Sequence, residues 1–350
     1  MKKMKNWLKI SLIIFSIILI SIGAFNLFMD SFWCFNHKHQ YNSVQKGTNE
    51  RQQKANYIYF TSNKYDTLLI GSSRTTYMNR HAFKGMNVFN FSATGMRPQE
   101  YQTYINFVIQ DAHQPIANII LAVDFFGYLN YGAFMYDNAP GIVQATKSPY
   151  YRWKLLFTYN ALNNSFRNMR DYLNPQKHSD RYNRDNVKSR FKIQAIGSKE
   201  LQLLTVQKDA LVYSRAEYSS QPNKQYSNIM NNIKEAYKKK KFIIYTTPVT
   251  NILFKTMIQT GHYRDYEDWL RKLVTVYGTV HHFMYMNSIG NNYSDNFADC
   301  NHAYPETNAI VARKIITQNK SDPKDFGIIL TSENIEIKLQ ELRLRNGISK

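Results

Sequence analysis

The stretch Asp66-Thr67-Leu68-Leu69-Ile70-Gly71-Ser72-Ser73-Arg74 decides how this chain is read. Its apolar run, Leu68 to Ile70, is short and stops at a glycine, which predicts a buried strand. The small residues that follow let the chain turn sharply. They leave a hydroxyl at the strand's carboxyl end, the edge where open α/β sheets bind ligands. Taken alone, the pattern is equally that of a plain Gly-Ser turn. A second stretch, Asp299-Cys300-Asn301-His302, shifts the reading. A carboxylate three residues before an imidazole can share one face of a loop or helix start. Serine attack needs a base, and the base needs an orienting acceptor. Ser73, His302 and Asp299 suit those three roles. Asp295 is a rival acid, but the Asp-x-x-His spacing favours Asp299.

Between and after these stretches, apolar runs over 87–91, 118–123, 242–246 and 280–284 predict further strands. Helices are expected over 50–60, 227–239, 266–276, 306–317 and 335–345, with another beginning near Arg97-Pro98. Proline suits the first turn of a helix. The fold class expected is α/β, with a parallel sheet of about five strands.

Three motifs in this order carry a family resemblance: a strand ending in Gly71-Ser72-Ser73-Arg74, then Asn90-Phe91-Ser92-Ala93-Thr94-Gly95, then the late Asp299-x-x-His302. Together they resemble the SGNH/GDSL hydrolase superfamily over about 66–128 and 240–317. The likeness looks closest to the membrane-anchored branch around the D-alanyl-lipoteichoic acid protein DltD and the alginate and peptidoglycan O-acetyltransferases. The resemblance implies a three-layer α/β/α, flavodoxin-like domain. It implies that Ser73 is the nucleophile, with Ser72 standing where the family often has Asp. It also implies that backbone N–H groups of Ser73 and Gly95 form an oxyanion hole. Glycine allows the close backbone approach such a role requires. Where the superfamily usually supplies an oxyanion Asn, this chain has Asp124, whose carboxylate would repel an oxyanion. Asp124 either orients the nucleophile loop or faces elsewhere. Arg74 either anchors an anionic substrate or packs outside the site. Asn301 is a further candidate for shaping the site.

The chain has 350 residues, 43% of them hydrophobic, and a formal net charge of +20. That charge favours polyanions as partners: nucleic acid, anionic lipid or anionic cell-wall polymer. The N-terminus bears on the choice. Lys2, Lys3, Lys5 and Lys9 precede an apolar stretch over 10–29, long enough for the ~30 Å hydrocarbon layer. Trp7 on one side, with Phe32 and Trp33 on the other, suits interfacial aromatic belts. The lysines favour a cytoplasmic N-terminus and an extracytoplasmic main domain, a single-pass protein of the cell membrane. That placement argues against nucleic acid. A cleaved signal peptide is the alternative, with Gly23-Ala24 as a weak cleavage candidate.

The expected organisation is a cytoplasmic N-terminus (1–9), an anchor (10–29), a juxtamembrane connector (30–64), a first core part (65–128), a basic aromatic insertion (129–228), a second core part (229–318) and a tail (319–350). The insertion reads as largely helical and irregular. Between Lys147 and Glu200 it holds twelve Lys/Arg against four Asp/Glu, interleaved with Tyr150, Tyr151, Trp153, Tyr159, Phe166, Tyr172, Tyr182 and Phe191. Such residues either stack sugars and hold anionic polymer or form the small core of a solvated cap. The tail reads as an appendage carrying one amphipathic basic helix, which either packs on the body, touches the membrane or contacts a partner.

No metal or cofactor is expected. His281 and His282 are adjacent on a predicted strand and face opposite sides, and no zinc spacing exists. Cys34 and Cys300 are expected as packed thiols; a bridge would tie the membrane exit to the site loop. Three functional readings stand. One is a serine esterase or O-acyltransferase acting on cell-envelope glycan or polymer. By analogy with the DltD-like branch, a multi-pass membrane acyltransferase is then a candidate partner. The second is an inactive accessory protein that binds anionic polymer or a membrane acyltransferase. The third is a scaffold acting through its tail and insertion.

Overall fold

The computed structural model describes residues 2–130, 138–174, 180–189, 199–317 and 322–348. Nine strands are described: β1 Val44–Lys46, β2 Thr67–Ile70, β3 Val88–Asn90, β4 Asn118–Val123, β5 Arg181–Asn183, β6 Lys188–Ser189, β7 Lys241–Thr246, β8 Thr279–His282 and β9 Ile328–Thr331. Six of them form the central sheet in the order β3-β2-β4-β7-β8-β9. The first five are parallel, and β9 joins antiparallel at the edge.

Both faces of this sheet are covered, which is why its strands read as unbroken apolar runs rather than alternating ones. Leu68, Ile70, Ile119, Leu121 and Val123 point into one core, against helices Glu50–Phe60, Pro98–Asn106, Tyr226–Ala236 and Tyr263–Tyr277. Leu69, Ile120 and Ala122 point into the other, with Val311, Ala312 and Ile315 of helix Pro305–Ile316. Each fully buried aliphatic side chain contributes roughly 1.5–3 kcal/mol. Gly71 is required where β2 passes β4: a Cβ there would lie 2.7 Å from Ala122 Cβ and 3.0 Å from the Ala122 carbonyl oxygen.

One expectation needs correction. The tail is no appendage, because it supplies β9 to the sheet. Its helix Ile335–Arg345 buries Ile335, Leu339 and Leu342, and Arg343 pairs with Glu267; residues 319–321 and 349–350 lie outside those described. The connector supplies β1, which pairs with β5 of the insertion, and β5 pairs with β6, in a second small sheet. Helices Ala139–Lys147, Tyr151–Leu155, Tyr159–Leu173 and Lys199–Tyr213 make up much of the insertion, with β5 and β6 beside them. Phe191 lies outside the described residues.

The N-terminal helix runs from Lys2 to Met29, and its segment Met4–Met29 is long and apolar enough to cross a membrane. It stops at Asp30, where φ is +43°. The Asp30 carboxylate accepts from the backbone N–H groups of Cys34 (2.7 Å) and Phe35 (3.3 Å). Arg184, from the insertion, donates to the terminal carbonyls of Met29 and Asp30, both at 3.1 Å, and pairs with the Asp30 carboxylate at 3.1 Å.

Candidate active site

All the site loops leave carboxyl ends of parallel strands. The five parallel strands, taken in chain order, lie as 2-1-3-4-5, and ligands of such sheets bind beyond those ends. After β2, Ser72 caps the one-turn helix Ser73–Thr76: its Oγ accepts from the Arg74 N–H at 3.3 Å. Ser73 is thereby held just above the sheet edge.

The chain after β8 makes two further single turns, Ser288–Asn291 and Tyr293–Asn296. A tight loop follows, closed by the Phe297–Ala303 bridge and by the Ala298 N–H bonded to the His302 carbonyl (2.9 Å). Thr250 pins its tip by donating to the Cys300 carbonyl at 2.9 Å. The loop brings His302 Nε2 to 2.9 Å from Ser73 Oγ, and His302 Nδ1 to 2.8 Å from an Asp299 oxygen. A carboxylate only accepts, so Nδ1 carries the proton and Nε2 is left as an acceptor for the serine hydroxyl. The other Asp299 oxygen accepts from the N–H groups of Asn301 (2.9 Å) and His302 (2.8 Å). Burial pushes the Asp299 carboxyl up, but the His302 hydrogen bond and charge and these two N–H groups outweigh it, leaving it at about 2. Asp295 instead accepts from Asn292 in a neighbouring turn.

Ser73, Gly95, Asn301 and His302 line one cavity of about 580 Å³. Gly95 has φ +63°, a left-handed conformation that glycine adopts without strain. Asn301 is 5% exposed, and its side-chain oxygen has no hydrogen-bond partner.

Arg74 and Asp124 do not line the cavity. Arg74 pairs with Asp124 at 3.2 Å, both side chains being 2% exposed, and it also bonds Tyr213, Tyr218 and Thr247. Thr247 donates to the same Asp124 oxygen. Of the alternatives the sequence left open, packing outside the cavity is the one observed for Arg74. Asp124 reaches the nucleophile loop through Arg74.

The sequence did not reveal the wall opposite the serine. It is built by the connector and the insertion. Glu50 Oε2 accepts from the N–H and the hydroxyl of Thr94, both at 2.8 Å. Glu50 Oε1 accepts from Tyr182 (2.5 Å) and Lys188 (3.0 Å). Arg51 donates to the Thr94 carbonyl at 2.8 Å and forks onto Glu100. One turn on, Lys54 donates to the Ser92 carbonyl at 2.6 Å. Helix Glu50–Phe60 thus holds the Ser92–Gly95 loop at both the N–H and the carbonyl of Thr94, in two successive peptide groups. Burial pushes Glu50 up, but Lys188, Lys54, Tyr182 and Thr94 overcome it and hold the carboxyl at about 2. Burial pulls the Lys54 ammonium down to about 7, with Glu50 opposing. The sequence signal was present only as a run of polar residues on a predicted helix.

Among the described residues, no group of three His, Cys, Asp or Glu side chains is placed to hold a metal ion. His282 is fully buried between Thr246 (2.8 Å) and Tyr266 (2.6 Å), and burial pulls it down to about 3, so it is a neutral core residue. Cys34 and Cys300 are both free and buried.

No family model and no curated protein matches the sequence. Among solved structures there is a weak likeness to a Streptococcus pneumonia protein provisionally described as a platelet activating factor. It is 10% identical, the alignment covers 76% of this chain and 89% of that one, and the TM-score is 0.33. A likeness at that score carries no argument about activity.

Proposed function

We propose that this chain is a membrane-anchored, extracytoplasmic serine esterase or O-acyltransferase with an SGNH-like three-layer fold, acting on cell-envelope glycan or polymer. The observation that carries the reading is the continuous chain from Ser73 through His302 to Asp299, at 2.9 and 2.8 Å. In this scheme Ser73 Oγ attacks an acyl ester carbonyl as His302 Nε2 takes its proton. Asp299 holds the imidazole in the required tautomer and stabilises the imidazolium. The backbone N–H groups of Ser73 and Gly95 receive the oxyanion. His302 then protonates the leaving alcohol. The acyl-serine passes its acyl group to water or to a glycan hydroxyl, which His302 deprotonates in turn.

The cavity wall supports a polyhydroxyl substrate. It combines the rings of Phe126, Tyr182 and Tyr213 with amide and charged side chains, the mixture that stacks and hydrogen-bonds a sugar. Several of its cations have carboxylate partners, Arg51 with Glu100, Arg97 with Glu217 and Lys188 with Glu50. A neutral or mildly anionic glycan therefore fits the cavity better than a dense polyanion. Seclusion of Asp124 in its pair with Arg74 removes the repulsive carboxylate that would have favoured an inactive site.

The test is labelling of the full-length protein by a fluorophosphonate, together with hydrolysis of p-nitrophenyl acetate. Both are expected for the natural chain and neither for Ser73→Ala. A folded natural chain that neither labels nor turns over overturns the enzymatic reading and leaves the accessory one.

A further inference from the structure

The N-terminal helix makes no fully buried contact with the body until Gly23. Positions 4–22 are exposed or partly exposed. That stretch includes Lys5 and Lys9, which belong on the cytoplasmic side, so its free apolar part is 10–22, about 20 Å at 1.5 Å per residue. This is shorter than the ~30 Å of a bilayer's hydrocarbon core, so what packs on positions 23–29 stands at the outer edge of the bilayer itself.

What lies at that level is helix Tyr159–Leu173. Its inner face, Ala161, Ser165 and Asn168, is buried. Its outer face carries Tyr159 (78% exposed), Phe166 (59%) and Leu173 (65%). Asn160, Asn163, Arg170 and Tyr172 are exposed as well, so the outer side of this helix is open along its length. The Phe166 ring sits 4.9 Å from Phe25 of the N-terminal helix. Phe157 lies against Gly23, where a Cβ would come within 2.9 Å of its ring. Asn26 donates to the Leu156 carbonyl at 2.7 Å. With Arg184 locking Met29 and Asp30, the junction between the two helices is built rather than hinged. Between positions 150 and 173 the chain has Arg152, Lys154, Arg167 and Arg170 against Asp171 as the lone acid.

We propose that the outer face of helix Tyr159–Leu173, with the turn before it, is a lipid-docking surface that seats the body on an anionic bilayer. Aromatic rings flanked by arginines at the end of a spanning helix suit the headgroup zone. Continuity with the spanning helix selects lipid over a soluble partner. The proposal rests on the reading that Met4–Met29 crosses a bilayer. It also positions the catalytic cavity. Asn168, on the inner face, accepts from the N–H of Lys46 at 3.2 Å, and Lys46 lines the cavity. The docked helix is thus bonded directly to the cavity rim, which brings the cavity toward membrane-linked acyl donors or acceptors.

The test places an environment-sensitive fluorophore at Tyr159→Cys, at Leu173→Cys and, as control, at exposed Lys239→Cys. Each full-length chain is reconstituted in vesicles of equal parts phosphatidylcholine and phosphatidylglycerol; the parent, with Cys34 and Cys300 buried, sets the background. The expected result is loss of iodide quenching and gain of quenching by brominated acyl chains at 159 and 173, with Lys239→Cys still open to iodide. In phosphatidylcholine alone the brominated-chain quenching falls; equal quenching overturns the anionic preference. Iodide access at 159 and 173 equal to the control overturns the docking. Shielding from iodide without brominated-chain quenching overturns lipid as the occupant in favour of a covering protein. A chain that fails to float with the vesicles overturns the membrane span as well, whereas flotation with iodide-open labels overturns the docking alone.

Discussion

Replacing Glu50 by Gln tests the clamp on the Ser92–Gly95 loop. The Glu50 carboxyl is held at about 2 instead of its ordinary 4.5. A carboxyl held that low contributes about 3 kcal/mol to folding at neutral pH. Because its folded value is depressed, the contribution is complete above pH 4.5 and is lost as the pH falls through about 2. Glu50→Gln removes the charge at every pH and strands Lys188 in a buried position, where its other carboxylate, Asp180, is 3.8 Å away. Breaking a buried pair from one side costs about 3–5 kcal/mol. The two figures describe the same interaction and do not add. Urea unfolding of the detergent-solubilised full chain at pH 7 should show a loss of about 3–5 kcal/mol, shrinking to about half by pH 3. The same variant weakens the hold on the Thr94 N–H and hydroxyl, one peptide before the Gly95 N–H. If Gly95 donates to the oxyanion, kcat/KM for p-nitrophenyl acetate should fall, by less than the about 10²-fold that outright loss of an oxyanion donor costs. A stability gap that is the same at pH 7 and pH 3 refutes the electrostatic account. A stability loss with unchanged kcat/KM refutes the role of this loop in the reaction.

Three further outcomes are expected. Asp299→Asn should lower kcat/KM by about 10⁴-fold, because an amide holds the wrong His302 tautomer. It should also cost about 2 kcal/mol at neutral pH, a contribution present above pH 3.8 and lost as the pH falls through about 2; pH-dependent thermal unfolding and steady-state kinetics measure both. Arg74→Met, which leaves the Asp124 carboxylate buried without its cation, should destabilise by about 3–5 kcal/mol, and adding Asp124→Leu should restore most of that, read from urea midpoints. Burial pushes the Cys300 thiol up to about 12 and raises Cys34 well above its ordinary value. A chromogenic disulfide reagent at pH 8 should therefore find both thiols silent in the folded chain and both reactive after denaturation.

The strands that carry the site were legible because their signals are local. A fully buried parallel strand is an unbroken apolar run, and β2 and β4 fall at the positions so read. The Gly-Ser-Ser turn and the Asp-x-x-His spacing are also local, so Ser73, Asp299 and His302 could be nominated before any coordinates. Edge strand β9 was missed although Ile328-Ile329-Leu330 is a short apolar run, because nothing local records its antiparallel pairing with β8. Arg74 and Asp124 were ambiguous for a related reason. Whether a charge meets substrate or a counter-charge depends on a residue 50 positions away.

The sequence by itself determined the class of the sheet, the apolar N-terminal helix and the chemistry available at three residues, since each depends on neighbours a few positions apart. Only the tertiary structure decided that Ser73 meets His302 across 229 positions, that Glu50 meets Lys188 across 138, and that an insertion helix lies against the end of the apolar one. Those contacts join segments with no shared periodicity. They exist because burying both faces of one sheet leaves the chain few ways to close, and spacing along the sequence does not record that closure.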